Sequence, residues 1–226
     1  MPRLQLGDSF YMVGRNPWDV AKVAAEGDQS EEVTFAAVGR ALTKWELLEQ
    51  KLAWIFRVCV TDDAGNMGLA ASRAFGASIA HQGRAAMLSA AAEAFFGGAM
   101  EIAKARANPD EVERLVKLKA DFKEMLKLAG KYAPRRNEIA HGYVREWSVP
   151  RKGIDNGYRL FPSEYATNKH EILYDHPQHP LTGIQWPDYV YSAAEINAYA
   201  HQFEALAATA DGLSSRFLLA SFQARS

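Results

Sequence analysis

One row of residues constrains this chain more than any other: Leu115, Leu118, Phe122, Met125, Ala129, Tyr132, Arg136, Ile139 and Tyr143, spaced alternately by three and four. Residues so spaced line one face of a helix, and an apolar face of that length must be covered by other elements. The start of the helix is written in Asn108, Pro109 and Asp110: a side chain that caps, a proline at the first helical position, then an acid in the first turn. Pro134 falls inside the row, and its ring clashes with the carbonyl of Gly130, so a kink is expected there.

Three further segments supply covering helices. From about Glu31, the residues Phe35, Val38, Leu42, Trp45, Glu49, Leu52, Phe56 and Cys59 form a stripe in which Glu49 is the odd member. A buried carboxylate is costly unless paired or hydrogen-bonded. Either Glu49 has a partner, or the register is off by one and Leu48 lies inside. Asp62 to Met67 reads as a turn, followed by an alanine-rich second helix from Leu69 to about Met100. A row through Ala74, Ala77, His81, Arg84, Leu88, Ala91 and Phe95 would turn His81 and Arg84 inward. A neighbouring row through Phe75, Ile79 and Ala86 fits nearly as well and leaves both polar residues at a solvated edge. The last helix opens on a capping box, Ser192 with Glu195, and continues through Ile196, Tyr199, Phe203, Leu206, Ala210, Leu213, Phe217 and Ala220. Between the third and fourth helices, residues 143–191 change character: Val144 to Val149 and Gly157 to Phe161 read as a β-hairpin about a loop with Lys152, Gly153 and Asn156. The expected fold is mainly α, an antiparallel four-helix bundle with a small β-hairpin insertion between the third and fourth long helices.

With 226 residues, 48% of them apolar, the chain has enough material for one well-buried core. Residues 1–30 read as an arm, with Asn16 and Pro17 opening a short helix that includes Trp18 and Val20, and 31–226 as the helical domain. The single cysteine, Cys59, excludes an intramolecular disulfide and fits a reducing cytoplasm. Met1 to Tyr11 has no apolar h-region, and the run Ala85 to Met100 is short and carries Glu93, so neither export nor a membrane partner is expected. A formal net charge of -1 gives no global attraction to nucleic acid, so any such partner must meet a local basic surface.

That surface, and the chemistry, converge on Arg135, Arg136, Asn137, Glu138, Ile139, Ala140, His141 and Gly142 at the end of the third helix. At about 100° per residue, Arg136 lies on the inward row while Asn137 and His141 share one flank beside it. Lys119, Lys123, Lys127, Lys131 and Arg135 form an i,i+4 ladder toward this stretch, which reads either as a solvated face or as a phosphate track. His170, Asp175, His176 and His179 match no metal-ligand spacing and read as loop surface. No phosphate-binding glycine loop, HExxH or GxSxG is present. An imidazole moves protons near neutral pH, an arginine holds a phosphate and an amide orients either. Those are the parts of a ribonuclease that needs no metal or other cofactor.

Arg136 to Gly142 resembles the R-x4-6-H signature of the HEPN-domain family, in the form RNxxAHG. The resemblance covers roughly residues 31–220 and implies a helical bundle with the motif near the end of a long helix. It implies an endoribonuclease of toxin–antitoxin or phage-defence type, acting on single-stranded RNA, with two motifs meeting in a homodimer and an antitoxin protein as a further partner. On the same ground Arg136 and His141 are catalytic, Asn137 supports them, and Arg135 beside the motif and Glu49 on the first helix are the positions that can do the same. Inactive members that bind RNA, nucleotide or protein also exist. The insertion after the motif is not part of the minimal family pattern. The same residues admit a purely structural reading, with Arg136 paired to Glu49 and His141–Gly142 an ordinary helix end.

Overall fold

The computed structural model describes residues 26–61, 66–78, 80–147, 156–163 and 189–225. The predicted helix at Asn16 to Val20, the loop at Lys152, and His170, Asp175, His176 and His179 lie outside these residues. The described chain is mainly helical: α1 (Glu31–Val60), α2 (Asn66–Ala77), α3 (His81–Ala105), α4 (Pro109–His141), β1 (Tyr143–Trp147), β2 (Gly157–Phe161) and α5 (Ala193–Arg225). It divides into two compact units, Met1–Lys44 with Pro134–Gln202, and Trp45–Ala133 with Phe203–Ser226. Helices α1, α4 and α5 each contribute residues to both.

The second unit holds the aromatic core that the stripes predict. Phe217 of α5 packs against Phe96 of α3 and Phe122 of α4, with ring centroids 5.2 and 5.4 Å apart. Leu115, Leu118, Phe122, Met125 and Ala129 are all buried, as are Leu88, Ala92, Phe96, Ala99 and Ala103 of α3. The start of α4 is capped as its sequence requires, with Glu111 N donating to Asn108 Oδ1 at 3.1 Å. By length and composition α3 is apolar enough to cross a membrane. Here its Leu88–Ala103 row is buried in the unit, and Glu93 on its other side pairs with Lys119 and Lys123 of α4.

Two sequence expectations are corrected. The helix foreseen from Leu69 to Met100 is two helices, α2 ending at Ala77 and α3 starting at His81, and the Ser78 carbonyl that follows α2 accepts from the Arg84 side chain, Nε, at 2.7 Å. Ala80 is extended (φ -88, ψ 137) and its carbonyl accepts from Arg84 N, so α3 restarts at His81. In the first half of α1 the buried row is Thr34, Ala37 and Ala41, one residue away from the foreseen stripe, and Phe35 is 52% exposed. The reason lies in Asp28: its Oδ2 accepts from Thr34 Oγ1 at 2.6 Å and from Ala193 N, the first amide of α5, at 2.8 Å. That carboxylate draws the small-residue face of α1 inward.

The first unit contains the hairpin. Strands β1 and β2 pair antiparallel from Tyr143↔Phe161 to Trp147↔Gly157. The sheet is extended by bridges from Asp28 to Tyr158 and from Leu160 to Tyr191. Asp28, read from the sequence as part of the end of an arm, is therefore hydrogen-bonded through its backbone to Tyr158 of β2. The contact is close: a Cβ on Gly27 would sit 2.7 Å from the Gly157 backbone, and Gly157 has φ +142, a region that favours glycine. Trp147 and Phe161 stack with centroids 5.5 Å apart, and Val190 and Tyr143 complete this small core. At the N-terminus of α5, Glu195 Oε2 accepts from Ser192 N at 2.9 Å and from Ser192 Oγ at 3.3 Å. The Glu half of the capping box is thus formed, while the Ala193 amide is served by Asp28.

Candidate functional site

The last two turns of α4, the hairpin and the start of α5 belong to the first unit and build the site together. Helix α4 continues through Pro134 to His141. Arg135 and Glu138, three residues apart on one face, are both buried and joined by an ion pair of 2.6 Å. The Tyr191 hydroxyl closes a triangle, donating to Glu138 Oε2 at 2.7 Å and accepting from Arg135 NH1 at 3.0 Å. Tyr189 donates to the Glu138 carbonyl at 3.2 Å, and Tyr191 contacts Tyr189 and Tyr199 through its ring. Burial, then the neighbouring Glu138 carboxylate, push the Tyr191 phenol well above its ordinary range, so it stays protonated and keeps its hydrogen for Glu138. Two charges are buried here because each satisfies the other and a phenol satisfies both.

This network corrects the expected orientation of the motif. Arg135, foreseen as the end of an exposed ladder and a supporting residue, is buried, whereas Arg136, foreseen on the inward row, is half-buried. Arg136 NH1 donates to Asn137 Oδ1 at 3.2 Å, and its buried Nε has no partner among the described residues. Asn137 and His141 are exposed. Being one helical turn apart, they share one flank. The guanidinium of Arg136 is thereby held by the amide that neighbours His141 in this row.

The end of the helix is fixed with equal care. Ser163 Oγ donates to the His141 carbonyl, one of the last four that a helix leaves without an internal partner. Gly142 packs so tightly on β2 that a Cβ there would lie 2.7 Å from Leu160 Cγ and 2.8 Å from the Phe161 carbonyl oxygen. The glycine of the motif thus has a packing reason: it lets the chain leave α4 directly into β1.

The remaining predicted residues lie in the second unit. Glu49 is 4% exposed, yet Arg136 is not its partner: it accepts from Trp45 Nε1 at 3.1 Å and Arg84 NH1 at 3.2 Å, and His81 Nδ1 lies 2.9 Å from it. Since an ionised carboxylate only accepts, Nδ1 carries the hydrogen. Burial alone would raise the Glu49 pKa, but the hydrogen bonds and charges of His81 and Arg84 bring it below the ordinary value. Leu48 is buried as well, so the two registers weighed for α1 are both occupied. His81 and Arg84 turn to Glu49 as the first row has it, whereas in α2 Phe75 of the neighbouring row is buried and Ala74 and Ala77 are exposed. In the ladder, Lys119 and Lys123 share the single carboxylate of Glu93, and Lys127 stands 3.5 Å from Glu124. Lys131 is half-buried. Most of the ladder is thus a paired surface.

Sequence reasoning missed Glu138, Tyr191 and Ser163. Glu138 was legible in principle as an i,i+3 partner of Arg135; the tyrosine and the serine reach the site from beyond the hairpin, and no local spacing reveals them. Among the described residues no three His, Cys, Asp or Glu side chains gather as a metal site. The second unit has a cavity of about 220 Å³ lined in part by Arg106, Asn108, Glu111 and Arg114, but Arg106 is engaged by the Gln223 carbonyl and Arg114 by Glu111. The half-buried Arg136 with the exposed Asn137 and His141 is therefore the polar group on which function is best sought. The chain matches no protein-family model, and no curated protein or solved structure matches it.

Proposed function

We propose that the protein is a metal-independent endoribonuclease of HEPN type, in which Arg136 binds the scissile phosphate and His141 transfers the proton. The observation that carries this reading is the exposed pair Asn137 and His141 with the half-buried Arg136 beside them, its guanidinium tethered to Asn137 and the helix end anchored beneath by Arg135–Glu138–Tyr191. Such an arrangement presents a cation and an imidazole on a rigid support, which is what preorganised phosphate chemistry needs.

In this mechanism neutral His141 takes the proton of a ribose 2′-hydroxyl as its oxygen attacks the adjacent phosphorus. The 2′-O–P bond forms, the P–O5′ bond breaks, and the 5′-oxygen leaves with the proton that the His141 imidazolium gives back. Arg136 offsets the charge that builds on the phosphorane oxygens, and Asn137 orients Arg136. The products are a 2′,3′-cyclic phosphate and a 5′-hydroxyl. The nucleophile belongs to the substrate, so no metal-bound water is required. A four-helix bundle, a homodimer that brings two motifs into one cleft, and a role as a cytoplasmic toxin or defence effector held by an antitoxin belong to the same proposal.

The test is cleavage of single-stranded RNA by purified protein in excess EDTA, with the product ends identified as cyclic phosphates. His141→Ala is expected to abolish cutting while the melting temperature is retained, since His141 is exposed. Undiminished cutting by that variant overturns the assignment. RNA binding without any cutting by the wild type would instead identify a non-catalytic module built on the same residues.

A further inference from the structure

We propose that Arg145, on the strand that follows His141, is a second phosphate-binding residue of this site, so that its substrate is an RNA chain with nucleotides beyond the cleaved bond. The inference rests on the ribonuclease reading above and names the class of substrate that reading requires.

Arg145 is placed by the hairpin. Side chains alternate along a strand, so Tyr143, Arg145 and Trp147 share one face of β1. Its guanidinium carbon lies 4.5 Å from the centre of the Phe161 ring and 5.6 Å from that of Tyr143. Aromatic faces hold a cation in place without neutralising it. In register across the sheet stands Arg159, another cation, where an acid would have formed a cross-strand pair. Arg145 is half-buried, and no carboxylate pairs with it among the described residues.

The contrast with the other arginines gives this weight. Arg84, Arg114, Arg135 and Arg216 each hold a carboxylate, and Arg106 holds backbone carbonyls. Arg40 donates to the Asn197 amide and Arg57 lies over the Trp54 ring, so what sets Arg136 and Arg145 apart is that both flank His141 in sequence and neither holds a carboxylate among the described residues. Helix α4 ends at His141 and β1 starts at Tyr143 with only Gly142 between. Four residues of fully extended chain span at most about 14 Å, which bounds the separation of the His141 and Arg145 backbones. A strand of RNA lying along that path would set one phosphate at Arg136 and a neighbouring one at Arg145. A planar guanidinium already held flat by a ring offers its fork to phosphate oxygens with little ordering left to do.

The experiment measures binding of a fluorescein-labelled single-stranded oligoribonucleotide by anisotropy, across a salt series, in a His141→Ala background that does not cut it. Adding Arg145→Gln is expected to weaken binding roughly fivefold at low salt. The slope of log affinity against log salt should flatten by about 0.7, the value for one phosphate contact on a single strand. Arg145→Lys, which keeps the charge and the stem on Phe161, should retain the slope. Affinity within twofold of the parent with an unchanged slope in Arg145→Gln overturns the inference, as does a slope lost equally in Arg145→Lys. If the His141→Ala parent binds no RNA and the wild type cuts none, the ribonuclease reading falls and this inference with it. If the wild type cuts and Arg145→Gln binds like its parent, Arg145 alone is refuted.

Discussion

Replacing Glu138 by Gln tests whether the buried triangle under the motif holds the end of α4. The change preserves shape and removes one charge, leaving the Arg135 guanidinium, whose side chain is 7% exposed, without its countercharge. Removing one member of a buried ion pair typically costs about 3–5 kcal/mol. The substituted glutamine would still offer an amide oxygen where the Glu138 carboxylate now accepts from Arg135 at 2.6 Å and Tyr191 at 2.7 Å, so the expected cost is near the lower end, about 3 kcal/mol. Tyr191→Phe removes one hydrogen bond to a charged group on each side and should cost about 2 kcal/mol. The hydroxyl bonds both members of the pair, so the losses overlap. In urea denaturation the double variant should therefore be less destabilised than the sum of the singles, by about 1 kcal/mol or more. A Glu138→Gln variant within about 0.5 kcal/mol of wild type, or strict additivity with Tyr191→Phe, would refute the reasoning.

Two further predictions address the other fixed points. Glu49 has a folded-state pKa below its ordinary value of 4.5, so it adds stability that is fully present above that range and is lost as pH falls through the lowered value. Urea midpoints taken from pH 7 downward should show an acid limb that flattens in Glu49→Gln; an identical limb would mean that His81 and Arg84 do not hold the carboxylate. Gly142→Ala places a Cβ against the Phe161 carbonyl, a backbone atom that cannot swing aside, and should cost about 1–3 kcal/mol in a thermal melt. No loss would disprove the tight seating of the helix end on β2.

What the sequence made legible followed from local periodicity and local chemistry. The α4 row as far as Ala129, the Asn108 cap and the start of α5 at Ser192 depend on residues within one or two turns and stand where the spacing put them, whereas at the row's end Arg136 is only half-buried and Tyr143 belongs to β1. The hairpin was legible from its turn-rich loop and its strand-forming residues. The failures share a different origin. Phe35 fits its stripe as well as Thr34 fits the neighbouring one; what decides between them is Asp28, which binds Thr34 and the α5 amide at once. At the break after α2 the Arg84 side chain takes the Ser78 carbonyl, and nothing in an alanine-rich run signals that.

The exchange of places between Arg135 and Arg136 carries the same lesson into the site. Periodicity treats the two as equivalent cations one step apart and assigns the inward position by the phase of the apolar row. Burial of a cation is decided instead by whether an anion goes with it. Arg135 has Glu138 one turn ahead and Tyr191 across from it, so it is the arginine that goes inside. Among the described residues Arg136 has only the Asn137 amide, which cannot neutralise it, and it stays at the boundary. A phosphate-binding arginine must lack a carboxylate of its own, and a rigid one must be anchored by something else. The adjacent pair divides those requirements: Arg135 is neutralised and anchors the helix, and Arg136 keeps the charge that a substrate phosphate would meet.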